Sequence, residues 1–97
     1  MTLSITDILH ILRQRLDLLR ATYKVRSIGV FGSYARETQH DDSDIDVLVE
    51  FVEPVGWEFF DLQEYLRDCL GKQIDLVTPA ALKPTFRNAI LHEVRYA

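Results

Sequence analysis

Residues 28–51 read IGVFGSYARETQHDDSDIDVLVEF, and the fold turns on how this stretch is laid out. An apolar run, Ile28 to Phe31, stops at Gly32-Ser33. A polar segment follows, and a second apolar run opens with Asp44-Ile45-Asp46. Both runs are rich in β-branched and aromatic residues and predict strands, Val25 to Phe31 and Asp44 to Phe51. Carboxylates at i and i+2 of a strand point to one face with Cα atoms roughly 6.5–7 Å apart, close enough to hold one or two divalent cations between them. Gly32-Ser33 offers a turn whose backbone N–H groups can approach an anion. Ser33 is expected to cap a short helix through Tyr34, Ala35 and Arg36. The stretch reads as a phosphate site beside a metal site.

Upstream, Ser4 and Asp7 have the spacing of a capping box. Ile5, Ile8, Leu9, Leu12, Leu16 and Leu19 recur at helical intervals, which predicts one helix from 5 to about 22 with Arg13, Gln14, Asp17 and Arg20 outward. Downstream, Pro54 and Gly56 close the second strand. Phe59, Leu62, Leu66 and Cys69 then mark a helix over 57–70, ended by Gly71. Gln73 to Val77 reads as a third strand with Asp75 on the face opposite Ile74 and Leu76. A carboxylate in an apolar strand costs desolvation unless it is paired or on a metal, so Asp75 joins the site candidates. Proline at 79 and at 84 suits two further helical starts, the last helix burying Phe86, Ala89, Ile90 and Val94. The order α-β-α-β-α-β-α predicts an α/β sandwich with a short mixed sheet, one domain over residues 1–97.

Composition agrees with a single globular domain. Of the 97 residues, 47% are hydrophobic and 27% charged, which excludes a disordered chain, and no apolar run is long enough to span a membrane. A cytoplasmic protein is expected. The net charge of −4 and the lack of a basic block argue against direct binding of nucleic acid, which rests on Lys and Arg at phosphates. A small nucleotide carried with its metal remains compatible. The single cysteine, Cys69, excludes an internal disulfide and reads as a buried apolar residue; His40 and His92 read as surface residues.

Carboxylates around divalent ions, beside a phosphate-binding turn, are what nucleotidyl transfer requires. Asp44 and Asp46 suit the metal role, and Asp75 the base or a shared ligand. Arg36 can pair with a phosphate or with a neighbouring acid. Lys83 and Arg87 are read as a solvated helix face, and Tyr34 as packing, with stacking on a base as the other option.

GSYAR at 32–36 followed by DSDID at 42–46 resembles the GSX10DXD signature of the minimal nucleotidyltransferases in the DNA polymerase β superfamily. Ten residues separate Ser33 from Asp44, as the signature asks. The chain is most similar to MntA-type antitoxins of HEPN/MNT, type VII, toxin–antitoxin systems. The resemblance implies a minimal polymerase-β-like fold and transfer of AMP from ATP, with two Mg2+ ions, to a tyrosine hydroxyl of a cognate HEPN toxin, an RNase that is thereby silenced. It implies Gly32 and Ser33 as triphosphate contacts, Asp44 and Asp46 as magnesium ligands, and Asp75 as the third carboxylate. A hetero-oligomer with the toxin is the implied assembly. One departure is Glu37, where the family pattern has glycine. Two other readings stay open: an antitoxin that neutralises by binding alone, and a small-molecule adenylyltransferase.

Overall fold

The structure is a computed structural model that describes residues 3–97. Helix α1 (Ile5–Gln14) begins at Ser4, whose hydroxyl accepts from the Asp7 N–H at 3.1 Å while the Asp7 carboxylate accepts from the Ser4 N–H at 3.0 Å. The expected reciprocal cap is present, and it satisfies donors that a helix start leaves open. The single helix expected to about residue 22 is instead two. Arg15, at φ −110° and ψ 6°, leaves the helical region, and α2 (Leu16–Tyr23) starts after it. Its Nε donates to Cys69 Sγ at 3.1 Å, so the break has a polar partner and Cys69 is half-buried rather than a fully enclosed apolar residue.

Strand β1 (Val25–Phe31) pairs antiparallel with β2 (Ile45–Phe51), with short α3 (Gly32–Arg36) between them. The register shifts between Val25 and Ser27. That bulge turns Val25 to the same face as Ile28 and Val30, all three of which join the core. Helix α4 (Glu58–Leu70) then carries the chain across to β3 (Ile74–Val77), which lies parallel to β2, because parallel neighbours need a crossover. After a 3-10 turn at Pro79–Ala81 and helix α5 (Pro84–Glu93), strand β4 (Arg95–Tyr96) pairs antiparallel with β1. The sheet order is β3-β2-β1-β4. The sequence reading had no β4. Gly29 makes room for it: a Cβ there would lie 2.7 Å from Val94 Cγ2 and 3.0 Å from the Arg95 carbonyl oxygen.

The core lies on one face of the sheet. Ile5, Ile8, Leu12, Leu19, Leu62 and Leu66 from α1, α2 and α4 meet Ile28, Val30, Val47 and Val49, all essentially inaccessible. Each such side chain contributes roughly 1.5–3 kcal/mol by leaving water. The last helix departs from expectation. No residue of α5 is fully buried, Ala89 is exposed, Ile90 and Val94 are half-buried and Phe86 is 57% exposed, because α5 sits against short α3 and not over the apolar face.

Candidate functional site

The sheet's other face carries the acids. Asp46 is the partner of Phe31 on β1 and of Asp75 on β3, so the three residues form one row across the sheet. Side chains at paired positions point the same way from strands about 4.8 Å apart, which brings the Asp46 and Asp75 carboxyls together. Asp44, exposed and two residues before Asp46, joins them at the mouth of β2. Phe31 leads directly into Gly32, whose backbone lies against Asp46. A Cβ on Gly32 would stand 2.0 Å from Asp46 Oδ2, and its φ of +74° is one that L side chains rarely adopt. Glycine is required here twice, for the turn and for the close approach.

Burial and the gathering of the acids carry an electrostatic cost. Burial, then the facing Asp75 carboxyl and the Asp44 charge, push Asp46 up to about 6 from an ordinary 3.8, against a downward pull from Arg36. A site that resists its own ionisation is one a cation would relieve. Among the described residues, no three His, Cys, Asp or Glu side chains enclose a metal ion by themselves. The oxygen-only, half-open set still fits magnesium, which commonly takes one or two carboxylates and completes its octahedron with water and substrate phosphates.

The turn after β1 differs from expectation in one respect. Ser33 does not cap α3: the N-cap residue is Phe31, with no side-chain cap bond, because Gly32 swings the chain straight from strand to helix. Ser33 instead sits inside α3, its carbonyl accepting from the Thr38 N–H at 2.9 Å. The helix ends at Glu37, in the left-handed region at φ 60° and ψ 35°. Glu37 thus stands where glycine is the least strained choice.

Two contacts were missed entirely. Glu93, the last residue of α5, accepts from the Gly32 N–H through Oε2 at 2.9 Å and from Arg36 Nη1 through Oε1 at 2.6 Å. Partial burial pushes Glu93 up, but the Arg36 bond, the Gly32 N–H and the Arg36 charge outweigh it and hold the group below the usual carboxylate range. Of the two options for Arg36, the acid is the one seen, and its partner comes from the far end of the chain. No local pattern in the sequence marks this pairing, since the two donors lie 61 and 57 residues away.

The remaining candidates sort simply. Tyr34 is fully buried, which closes the stacking option. Lys83 and Arg87 are exposed, and Arg87 Nη2 donates to the Pro79 carbonyl oxygen at 2.9 Å. His40 and His92 are exposed, as expected. A groove lined by Phe51, Val52, Trp57 and Phe60 lies at the opposite end of β2 from Asp44 and Asp46, with Trp57 79% exposed. Among the described residues, no helix is long and apolar enough to cross a membrane.

With this geometry in hand, comparison with known proteins is informative. The family model described as a nucleotidyltransferase domain matches residues 10–97. Protein adenylyltransferase MntA of Thermococcus cleftensis is 43% identical over 95 residues, spanning 97% of this chain and 96% of its own. A solved candidate minimal nucleotidyltransferase superposes with a TM-score of 0.79 at 31% identity, over 96% of this chain and 95% of that one. A crystal structure of a toxin–antitoxin with AMP-PNP gives a TM-score of 0.68 at 25% identity, over 97% of this chain and 72% of that one. The mixed α/β architecture with its short mixed sheet is that of the minimal nucleotidyltransferase fold.

Proposed function

This chain belongs to the nucleotidyltransferase domain family, and from that membership we propose that it is an antitoxin that transfers AMP from Mg-ATP to a tyrosine hydroxyl of a cognate HEPN RNase toxin and so inactivates it. The observation that carries the proposal is the row in which Asp46 stands in register with Asp75 while its carboxylate lies against Gly32. This closeness of acids and glycine turn supports metal ligands beside a phosphate turn, which nucleotidyl transfer needs and a mere binding surface does not.

In this reading Gly32, Ser33 and Arg36 would receive the triphosphate, and Asp44, Asp46 and Asp75 would hold two Mg2+ ions. When bound, those ions would neutralise charge on the α-phosphate and on the leaving pyrophosphate. The tyrosine oxygen attacks the α-phosphorus, a new P–O bond forms, the bond to the β-phosphate oxygen breaks, and pyrophosphate departs. The tyrosine proton passes to a carboxylate, and the exposure of Asp75 beside Asp46 supports it in that role. Support for ATP and for a toxin as partner comes from relatives, an adenylyltransferase at 43% identity and a toxin–antitoxin holding an ATP analogue at 25%. The net charge of −4 suits a protein acceptor better than a nucleic acid.

The test uses ATP labelled at the α-phosphate, magnesium and the toxin encoded beside this chain. Label is expected on a toxin tyrosine with the native protein and none with D44A/D46A. Absence of label with the native protein, or equal inhibition of the toxin by the double variant, would overturn the proposal.

A further inference from the structure

We propose that Glu93 is a positioning residue for the nucleotide site, a carboxylate that holds the Gly32–Arg36 turn and its arginine in the geometry that receives the phosphates. The inference rests on that turn receiving them, as proposed above. Glu93 forks between two donors 61 and 57 residues away in sequence, the Gly32 N–H at 2.9 Å and Arg36 Nη1 at 2.6 Å. Short α3 has no side-chain cap of its own, so Glu93 supplies the acceptor that its first residue lacks. The hold passes further. Gly32 lies against Asp46 Oδ2, so fixing the glycine backbone also fixes the wall against which the metal-facing carboxylate rests.

Glu93 is itself anchored. The next residues run into β4, which pairs with β1 at Gly29 and Val30, and the Ala97 N–H donates to the Ile28 carbonyl oxygen at 3.0 Å. Val94 packs where Gly29 has no side chain. To leave the turn, the carboxylate would have to break both of its bonds while its neighbours hold their places on β1. Charge-assisted bonds of this length are the strong ones, and they offset the cost of an anion at the C-terminal end of α5. The Glu93 side chain is 20% exposed against 56% for Arg36, and among the described residues Nη1 is the one guanidinium nitrogen engaged. Arg36 therefore keeps donors open to a ligand while one corner is fixed. The opposite role, an internal anion that plugs the turn until phosphate displaces it, predicts the opposite kinetics.

The experiment measures AMP transfer from Mg-ATP to the cognate toxin, and the Mg-ATP-dependent rise in melting temperature, for the native chain and E93D, E93Q and E93A. E93D keeps the charge but stops one methylene short. It is expected to raise KM for Mg-ATP roughly tenfold with kcat within about threefold, and to need correspondingly more Mg-ATP for half the melting rise. E93Q, which retains an acceptor for Gly32 but no charge for Arg36, is expected between E93D and native. E93A is expected to be the weakest binder, and if it fails to fold the other two decide. An unchanged KM in E93D and E93Q, with only lower melting temperatures, would make Glu93 a structural cap and overturn the proposal. A lowered KM would make it a plug and overturn it equally. A native chain that neither transfers AMP nor responds to Mg-ATP would sink the nucleotidyl-transfer reading and this one with it, whereas an active native chain with a flat KM series sinks this one alone.

Discussion

The two faces of the sheet are built on opposite terms. One is sealed by α1, α2 and α4 and consists of side chains such as Leu12, Leu62, Leu66 and Val47 that water does not reach. The other carries Asp46 and Asp75 side by side, and α5, the helix whose end reaches that side, buries none of its own residues fully. The first face supplies free energy of folding; the second spends some of it to hold like charges together. Strand β2 serves both, with Val47 and Val49 toward the helices and Asp46 toward the site, so the site depends on the strand that the core holds in place.

The comparison is broken most sharply by truncation on each side. Leu66→Ala, in the sealed face, is expected to cost about 2–5 kcal/mol in urea unfolding. Phe86→Ala, on exposed α5, is expected to cost less than about 1 kcal/mol. Equal losses at the two positions would mean that α5 is part of the core.

Gly32→Ala comes next and belongs to the acidic face. The new Cβ would meet Asp46 Oδ2 at 2.0 Å on a backbone at φ +74°, so the turn or the carboxylate must move. The expected loss is about 1–3 kcal/mol of stability together with Mg-ATP binding, read by melting and by calorimetry. Native-like binding by this variant would show that the contact between turn and acid is dispensable.

The cost of gathering the acids is read by pH. Asp46 titrates near 6 in the folded chain against an ordinary 3.8, so between about pH 4 and pH 6 the native state binds more protons than the unfolded one. Metal-free stability should therefore fall as pH rises through that window and stay lower above it. Asp46→Asn removes the effect and should melt a few degrees above the native chain at pH 7 without metal, but not at pH 4. Parallel melting curves for the two proteins across pH 4–7 would contradict the burial of Asp46 beside Asp75 and Asp44.

The smallest effect is expected at Glu37. Its left-handed backbone ends α3, and Glu37→Gly should stabilise the chain by about 0.5–1 kcal/mol or leave it unchanged, since relief of strain competes with the entropy that glycine gains on unfolding.

These faces were not equally legible in the sequence. Alternation and helical spacing report which residues share a face, so the apolar side of β2, the faces of α1 and α4 and the position of Asp75 could all be read from pattern alone. The break at Arg15 could not, because Ile5 to Leu12 and Leu19 keep nearly the same phase through it. The bulge between Val25 and Ser27 and the two-residue strand β4 are set by pairing with distant segments, which local pattern does not record. Glu93 was missed for the same reason: both of its donors are about sixty residues away, and an acid near a helix end passes for a solvated one. The GS and DXD spacing put Gly32 and Asp46 in one neighbourhood, where the structure also has them, but it carried no sign of the contact that ties the turn to the C-terminus.

The most direct test of the central claim, that Asp44, Asp46 and Asp75 with the Gly32 turn form a magnesium-nucleotide site, is the melting temperature with and without Mg-ATP. The native chain is expected to rise by several degrees, since ligand at about 100 times its dissociation constant adds roughly 2.7 kcal/mol, and D44A/D46A is expected not to move. A native chain that does not respond, or a double variant that rises with it, would contradict the account.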